Sequence, residues 1–148
     1  MNTIGLNPLN QDWYGAEVPG NPKWAFKIDD GLLMFRGVVS ARPVCMAEDA
    51  ENCFVEGLWE SDVVELFLVN PRTGFYIEFN LGPRGAWWFC SFDAPRKRTS
   101  IGPVSLPGVK THSAPTETGW DSSLIVPLNS LPSELAFDTG VTRGNITF

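Results

Sequence analysis

Histidine is almost absent: His112 is the only one in 148 residues. A Ser-His-Asp arrangement would have to use it, and its flanks, "VKTHSAP", read as an exposed strand end. Cysteine is scarce and odd in number. Cys45 and Cys53 could close a short loop, while Cys90 sits in an apolar stretch, so reduced thiols are the default expectation. No apolar run approaches the roughly 18 residues of a membrane span. The start, "MNTIGLNPLNQDWYG", has no basic segment and no apolar one, so no export signal is visible and the default expectation is cytoplasmic. Positive charge is in the minority. Eleven Lys and Arg against 17 Asp and Glu give a net charge of −6, which argues against a nucleic-acid partner, since phosphate binding needs a basic face. The basic cluster is Arg96-Lys97-Arg98, read as a solvated loop with an anion site as the alternative.

What is present is apolar and turn-forming. Hydrophobic residues make up 43% of the chain, with 14 Gly and 12 Pro, and there is no repeat, low-complexity tract or long helical pattern. Strands are expected at Trp24–Ile28 and Leu32–Ser40 around an Asp29-Asp30-Gly31 turn, then at Val63–Val69, Phe75–Leu81 and Ala86–Phe92. A further hairpin, Val109–Ser113 with Trp120–Val126, is followed by a helical turn over Pro127–Leu131 and a last strand at "GNITF". Residues 41–57 and the Pro-rich 94–107 read as loops. Short strands with turns about every ten residues predict one all-β domain over 1–148, an antiparallel β-sandwich of immunoglobulin-like or jelly-roll type.

Glu65 raises the functional question, because it interrupts the apolar strand of "LWESDVVELFLVN". Side chains alternate across a sheet. The wholly apolar sets, Val64, Leu66 and Leu68 with Phe75, Ile77, Phe79 and Leu81, belong on the core face. That pairing sets Leu66 against Phe79, Leu68 against Ile77 and Glu65 against Asn80. A four-residue turn would set Leu81 against Ala86 and send Trp88, Cys90 and Phe92 to the core. The other face then carries Glu65, Phe67, Tyr76, Glu78, Asn80, Trp87, Phe89 and Ser91. Aromatic rings mixed with carboxylates, an amide and a phenol suit a sugar, whose C–H faces stack on rings and whose hydroxyls pair with carboxylates; the same face could instead pack beneath segment 94–107.

The spacing of Trp59, Asp62, Glu65, Gly74, Tyr76 and Asn80, with a late "GWDSSLIVPLNSL", resembles the carbohydrate-binding module family 9-like domains of the DOMON-type superfamily. The resemblance covers roughly residues 24–148, and the chain stops short of the segment where the xylanase-attached modules carry a second clamp Trp. It implies a sandwich that binds a saccharide without catalysis, with Trp59 as stacking platform and Glu65 as hydroxyl acceptor. Tyr76, Glu78, Asn80 and Trp87 complete the expected sugar-binding set. It also implies structural calcium, for which Asp29, Asp30 and Asp138 are possible donors, although their spacing supports no loop-type site and no cofactor is expected. Three other readings stay open. Glu65 and Glu78 together suggest glycoside hydrolysis. His112, Met34 and Met46 are the candidate axial ligands for the haem that some relatives bind. The aromatic face could also meet a protein partner as an accessory domain.

Overall fold

The structure, a computed structural model, describes residues 6–11, 14–135 and 143–147. In chain order its strands are β1 (Asn7–Pro8), β2 (Lys23–Asp29), β3 (Leu32–Val39), β4 (Val64–Val69), β5 (Tyr76–Leu81), β6 (Trp87–Ala94), β7 (Lys97–Arg98), β8 (Lys110–Pro115), β9 (Trp120–Pro127) and β10 (Arg143–Thr147). They form two five-stranded sheets, ordered β1-β2-β3-β9-β8 and β10-β4-β5-β6-β7, and every ladder is antiparallel. The fold is an all-β sandwich. The β2–β3 connection shows how directly sequence dictates it: Asp30 and Gly31 both hold positive φ (48° and 72°), the geometry of a two-residue hairpin turn that Asp-Gly favours.

Alternation does the rest. Strand β4 is buried at every second residue, and Val64, Leu66 and Leu68 meet Leu33, Phe35, Leu124 and Val126 of the opposite sheet in one core. The sheets approach closely where β3 crosses β4. A Cβ on Gly37 would lie 2.7 Å from Val64 Cγ1, so only glycine permits this approach. The β4–β5 register is the expected one, with Glu65 opposite Asn80, Leu66 opposite Phe79 and Leu68 opposite Ile77.

The β5–β6 register differs from expectation by one residue. Gly82 N donates to Ala86 O at 2.8 Å, so the loop is only Pro83-Arg84-Gly85, with Gly85 at φ 92°. Leu81 therefore faces Trp87 and Phe79 faces Phe89. Trp87, Phe89 and Ser91 point into the inter-sheet core, and Trp88, Cys90 and Phe92 turn outward. The tight turn is held from three sides. Asp49, nearly buried, accepts from Arg84 N (3.1 Å) and Ala86 N (2.9 Å); Ser122 Oγ donates to Gly82 O (2.9 Å); Thr111 Oγ1 donates to Gly85 O.

Trp88 and Cys90 are buried as expected, but in a second cluster outside the sandwich. Segment 41–63 folds over the outer face of the second sheet and packs Val55 and Leu58 on Trp88, Cys90 and Phe92. Val55 N donates to Trp87 O and Trp87 N to Cys53 O, both at 2.9 Å, which fastens the segment to the edge of β6. The covering element is thus not 94–107. That stretch turns back as β7 and then sends Val104 and Leu106 into the inter-sheet core. Cys45, Cys53 and Cys90 are free thiols. Among the described residues no helix is long and apolar enough to cross a membrane.

Candidate functional site

Segment 41–63 covers only part of the outer face. The remainder is an open cleft of about 780 Å³. Its floor is Glu65 and Phe67 of β4 and Glu78 of β5, and its wall is Trp59, Trp88 and Phe92. Arg96 and Arg98, at the β6–β7 hairpin, form the rim.

Each side chain owes its place to a local cause. Glu65 faces outward because Val64 and Leu66 take the core side of the pleat. Trp59 stands on a one-turn 3-10 helix (Leu58–Glu60) that begins after Gly57 at φ 78°, and the turn is pinned by Leu58, which is fully buried. Asp62 then ties the strand entry to its neighbour by accepting from Val44 N at 2.8 Å. Trp59 stays 40% exposed, its ring edge-on to Trp88 at 4.8 Å between centroids. Trp88 is fixed in turn by donating Nε1–H to Glu56 Oε2 at 3.0 Å. Tyr76 stacks flat on Phe92 (4.6 Å, 3°), and its hydroxyl accepts from Arg96 N at 3.2 Å. The Arg98 guanidinium lies 5.6 Å from the Trp88 ring and 5.9 Å from the Trp59 ring, within cation–π range of both.

Electrostatics centre on Glu78. Burial, and next the Glu65 carboxylate, push it up to about 7, while the Asn80 amide and Arg98 act in the opposite direction. Asn80 lies close enough to influence Glu78, yet its fully buried amide meets no partner in good hydrogen-bond geometry.

Of the expected binding residues, Trp59, Glu65 and Glu78 line the cleft. Tyr76 and Asn80 share the face, the first supporting the Arg96 turn and the second lying beneath the surface. Trp87 is a correction. The shorter turn puts it 2% exposed in the inter-sheet core, edge-on to Phe54, where no ligand on the outer face can reach it. Trp88 takes the wall position instead. The arginines were visible as a basic cluster in an acidic chain, but nothing in their spacing tied them to Trp59.

A second cleft of about 470 Å³ adjoins the first and shares Trp59 and Glu65 with it. For the calcium implied by resemblance, Asp29 is held by Lys27 Nζ at 2.7 Å and Asp138 lies outside the described residues. Among the described residues no three His, Cys, Asp or Glu side chains gather at one point. His112 is exposed beside Glu51 Oε1 (3.1 Å) and, like Met34, belongs to the first sheet, whereas Met46 packs on the outer cluster of the second.

No protein-family model matches this chain, and no curated protein matches it. A solved structure does: the crystal structure of a "putative carbohydrate-binding protein" from Bacteroides uniformis, with a TM-score of 0.67, 16% identity, and alignment over 97% of this chain and 70% of that one. At that identity the likeness is one of fold, and it shows that this chain adopts the same sandwich architecture.

Proposed function

We propose that the protein is a non-catalytic carbohydrate-binding domain of the module family 9-like type, and that the outer face of the second sheet takes the saccharide. One observation carries the reading. The cleft joins an aromatic wall, with Trp59 partly open to solvent, to two carboxylates on its floor. An exposed indole offers a face for pyranose C–H groups, and Glu65 accepts from ring hydroxyls. The motif resemblance and the printed description of the Bacteroides structure support the same ligand class.

A second reading, glycoside hydrolysis, draws on Glu78. A carboxyl near 7 beside another carboxylate has the character of a general acid paired with a nucleophile. We favour binding because, among the described residues, the cleft is a broad and open surface with a partly exposed indole on its wall.

Calorimetry over neutral and acidic mono- and oligosaccharides tests the proposal. At least one saccharide binds the parent protein; Trp59→Ala removes the binding, and Glu65→Gln weakens it by about 1.5–3 kcal/mol, the worth of a charged hydrogen bond. Unfolding of Trp59→Ala in urea costs less than the roughly 3–5 kcal/mol of emptying a buried aromatic site. A screen without any binder ends the proposal, and release of reducing ends moves it to hydrolysis.

A further inference from the structure

The rim of the cleft is unlike the rest of the molecule. The chain carries a net charge of −6, yet three of its 11 basic residues stand in a row at 96–98, and Arg96 and Arg98 both line the cleft. Among the described residues neither guanidinium has a carboxylate within ion-pair distance; the described arginine that does is Arg36, bound to Asp121. A structural role in holding the fold through a salt bridge therefore does not explain them.

Two further observations bear on where these arginines stand. Arg98 is spread over Trp59 and Trp88, the surface a sugar ring would use. Guanidinium donors point outward in the plane of the group, and among the described residues no carboxylate takes those of Arg98, so they are open to an oxygen acceptor. Arg96 holds φ 62°, a left-handed backbone that turns usually give to Gly or Asn. The Tyr76 hydroxyl locks it by accepting its N–H, and Tyr76 is itself stacked on Phe92. A side-chain-bearing residue is kept where a glycine would be easier, and its side chain lines the cleft.

From this geometry we infer that the ligand is an acidic saccharide, whose anionic substituent is received by Arg96 and Arg98 while its hydroxyls face Glu65 and Glu78. The inference rests on the saccharide reading above and deepens it. Burial and the Glu65 carboxylate raise Glu78 to about 7, so below that pH the floor carries less negative charge opposite Arg96 and Arg98. A neutral sugar accepts guanidinium hydrogen bonds through its hydroxyls, whereas an anionic substituent makes those bonds charge-assisted on both sides and therefore stronger.

The test uses calorimetry at low salt on the full chain with four probes: a uronic-acid trisaccharide, its neutral counterpart of the same linkage, a sulfated oligosaccharide, and free acetate. One or both charged sugars bind at least about ten-fold tighter than the neutral one, the ratio expected from one added charge-assisted hydrogen bond. Whichever charged sugar is preferred identifies the anion as carboxylate or sulfate. Raising the salt narrows the ratio, because the rim is exposed and screened. Arg96→Gln and Arg98→Gln bring the ratio close to one, while Lys110→Gln, the same charge change at an exposed position on the edge strand of the other sheet, leaves it at the parental value. Equal affinity for the neutral and charged sugars overturns this inference and leaves the saccharide reading standing. Acetate binding as tightly as the charged sugars overturns it as well, since the rim would then be a general anion trap. Failure of every sugar overturns the saccharide reading itself.

Discussion

Glu78 is the residue at which chemistry and stability meet. The groups around it are Glu65 on β4, Asn80 on its own strand, Cys90 and Phe92 on β6, and Arg96 and Arg98 at the rim, with Glu56 near Cys90 and Trp88. Burial comes first among the causes that raise it, and the Glu65 carboxylate second. Because the folded protein holds this proton more tightly than the unfolded chain, the associated stability is fully present below the ordinary 4.5 and is lost as pH rises to about 7. The parent should therefore lose about 1–2 kcal/mol of unfolding free energy over that window, after allowance for solvent screening at a partly exposed site. Glu78→Gln, which cannot ionise, should lack that step and be the more stable protein at pH 8. Urea titrations of both proteins at pH 5 and pH 8 check this. A parent that gains stability with rising pH across the window would show that Glu78 is held ionised.

At the scale of the strand, Gly37 and Val64 set the spacing of the sheets. Gly37→Ala puts a methyl carbon within 2.7 Å of Val64 Cγ1, whose side chain is fully buried and cannot swing aside. The expected cost is about 1–3 kcal/mol, as for other overpacked cores. Adding Val64→Ala should return part of it, a coupling that a double-mutant cycle in urea measures. Strands β2 to β5 were legible in the sequence for a simple reason. Each of β4 and β5 has one wholly apolar set and one mixed set, so a single register puts the first in the inter-sheet core and turns the second to the outer face. Strand β6 offers no such choice. Trp87 and Phe89 are as apolar as Trp88, Cys90 and Phe92, so pattern could not decide its face, and the turn length decided it. That is why Glu65 and Glu78 were placed correctly while Trp87 was taken for its neighbour. Segment 41–63 has no period at all, so its role as a cover, and with it the second cluster around Leu58, could not be read from residue order.

The molecule as a whole has two apolar centres with different duties. The inter-sheet core holds the strands together, and the outer cluster under segment 41–63 backs the wall of the cleft. Leu124→Ala and Leu58→Ala both empty fully buried sites, and each should cost about 2–5 kcal/mol. Their effects on binding should diverge. Leu58 lies on the same one-turn helix as Trp59 and packs in the cluster with Trp88, so its truncation should loosen the indole wall and lower saccharide affinity. Leu124 touches the core behind the sheet, and its loss should leave affinity near the parental value at a temperature where both variants remain folded. Calorimetry beside urea unfolding separates the two. The turn at Pro83–Gly85 has a last consequence, in terms of descent. Because side chains alternate, gaining or losing one residue there would exchange the two faces of β6 in a single heritable step. The tandem Trp87-Trp88 means that either outcome still leaves an indole in the core and another on the ligand side. A lineage carrying this pair could pass through such a change with both layers filled, and emerge with Phe89 and Ser91 on the binding surface where Cys90 and Phe92 now stand.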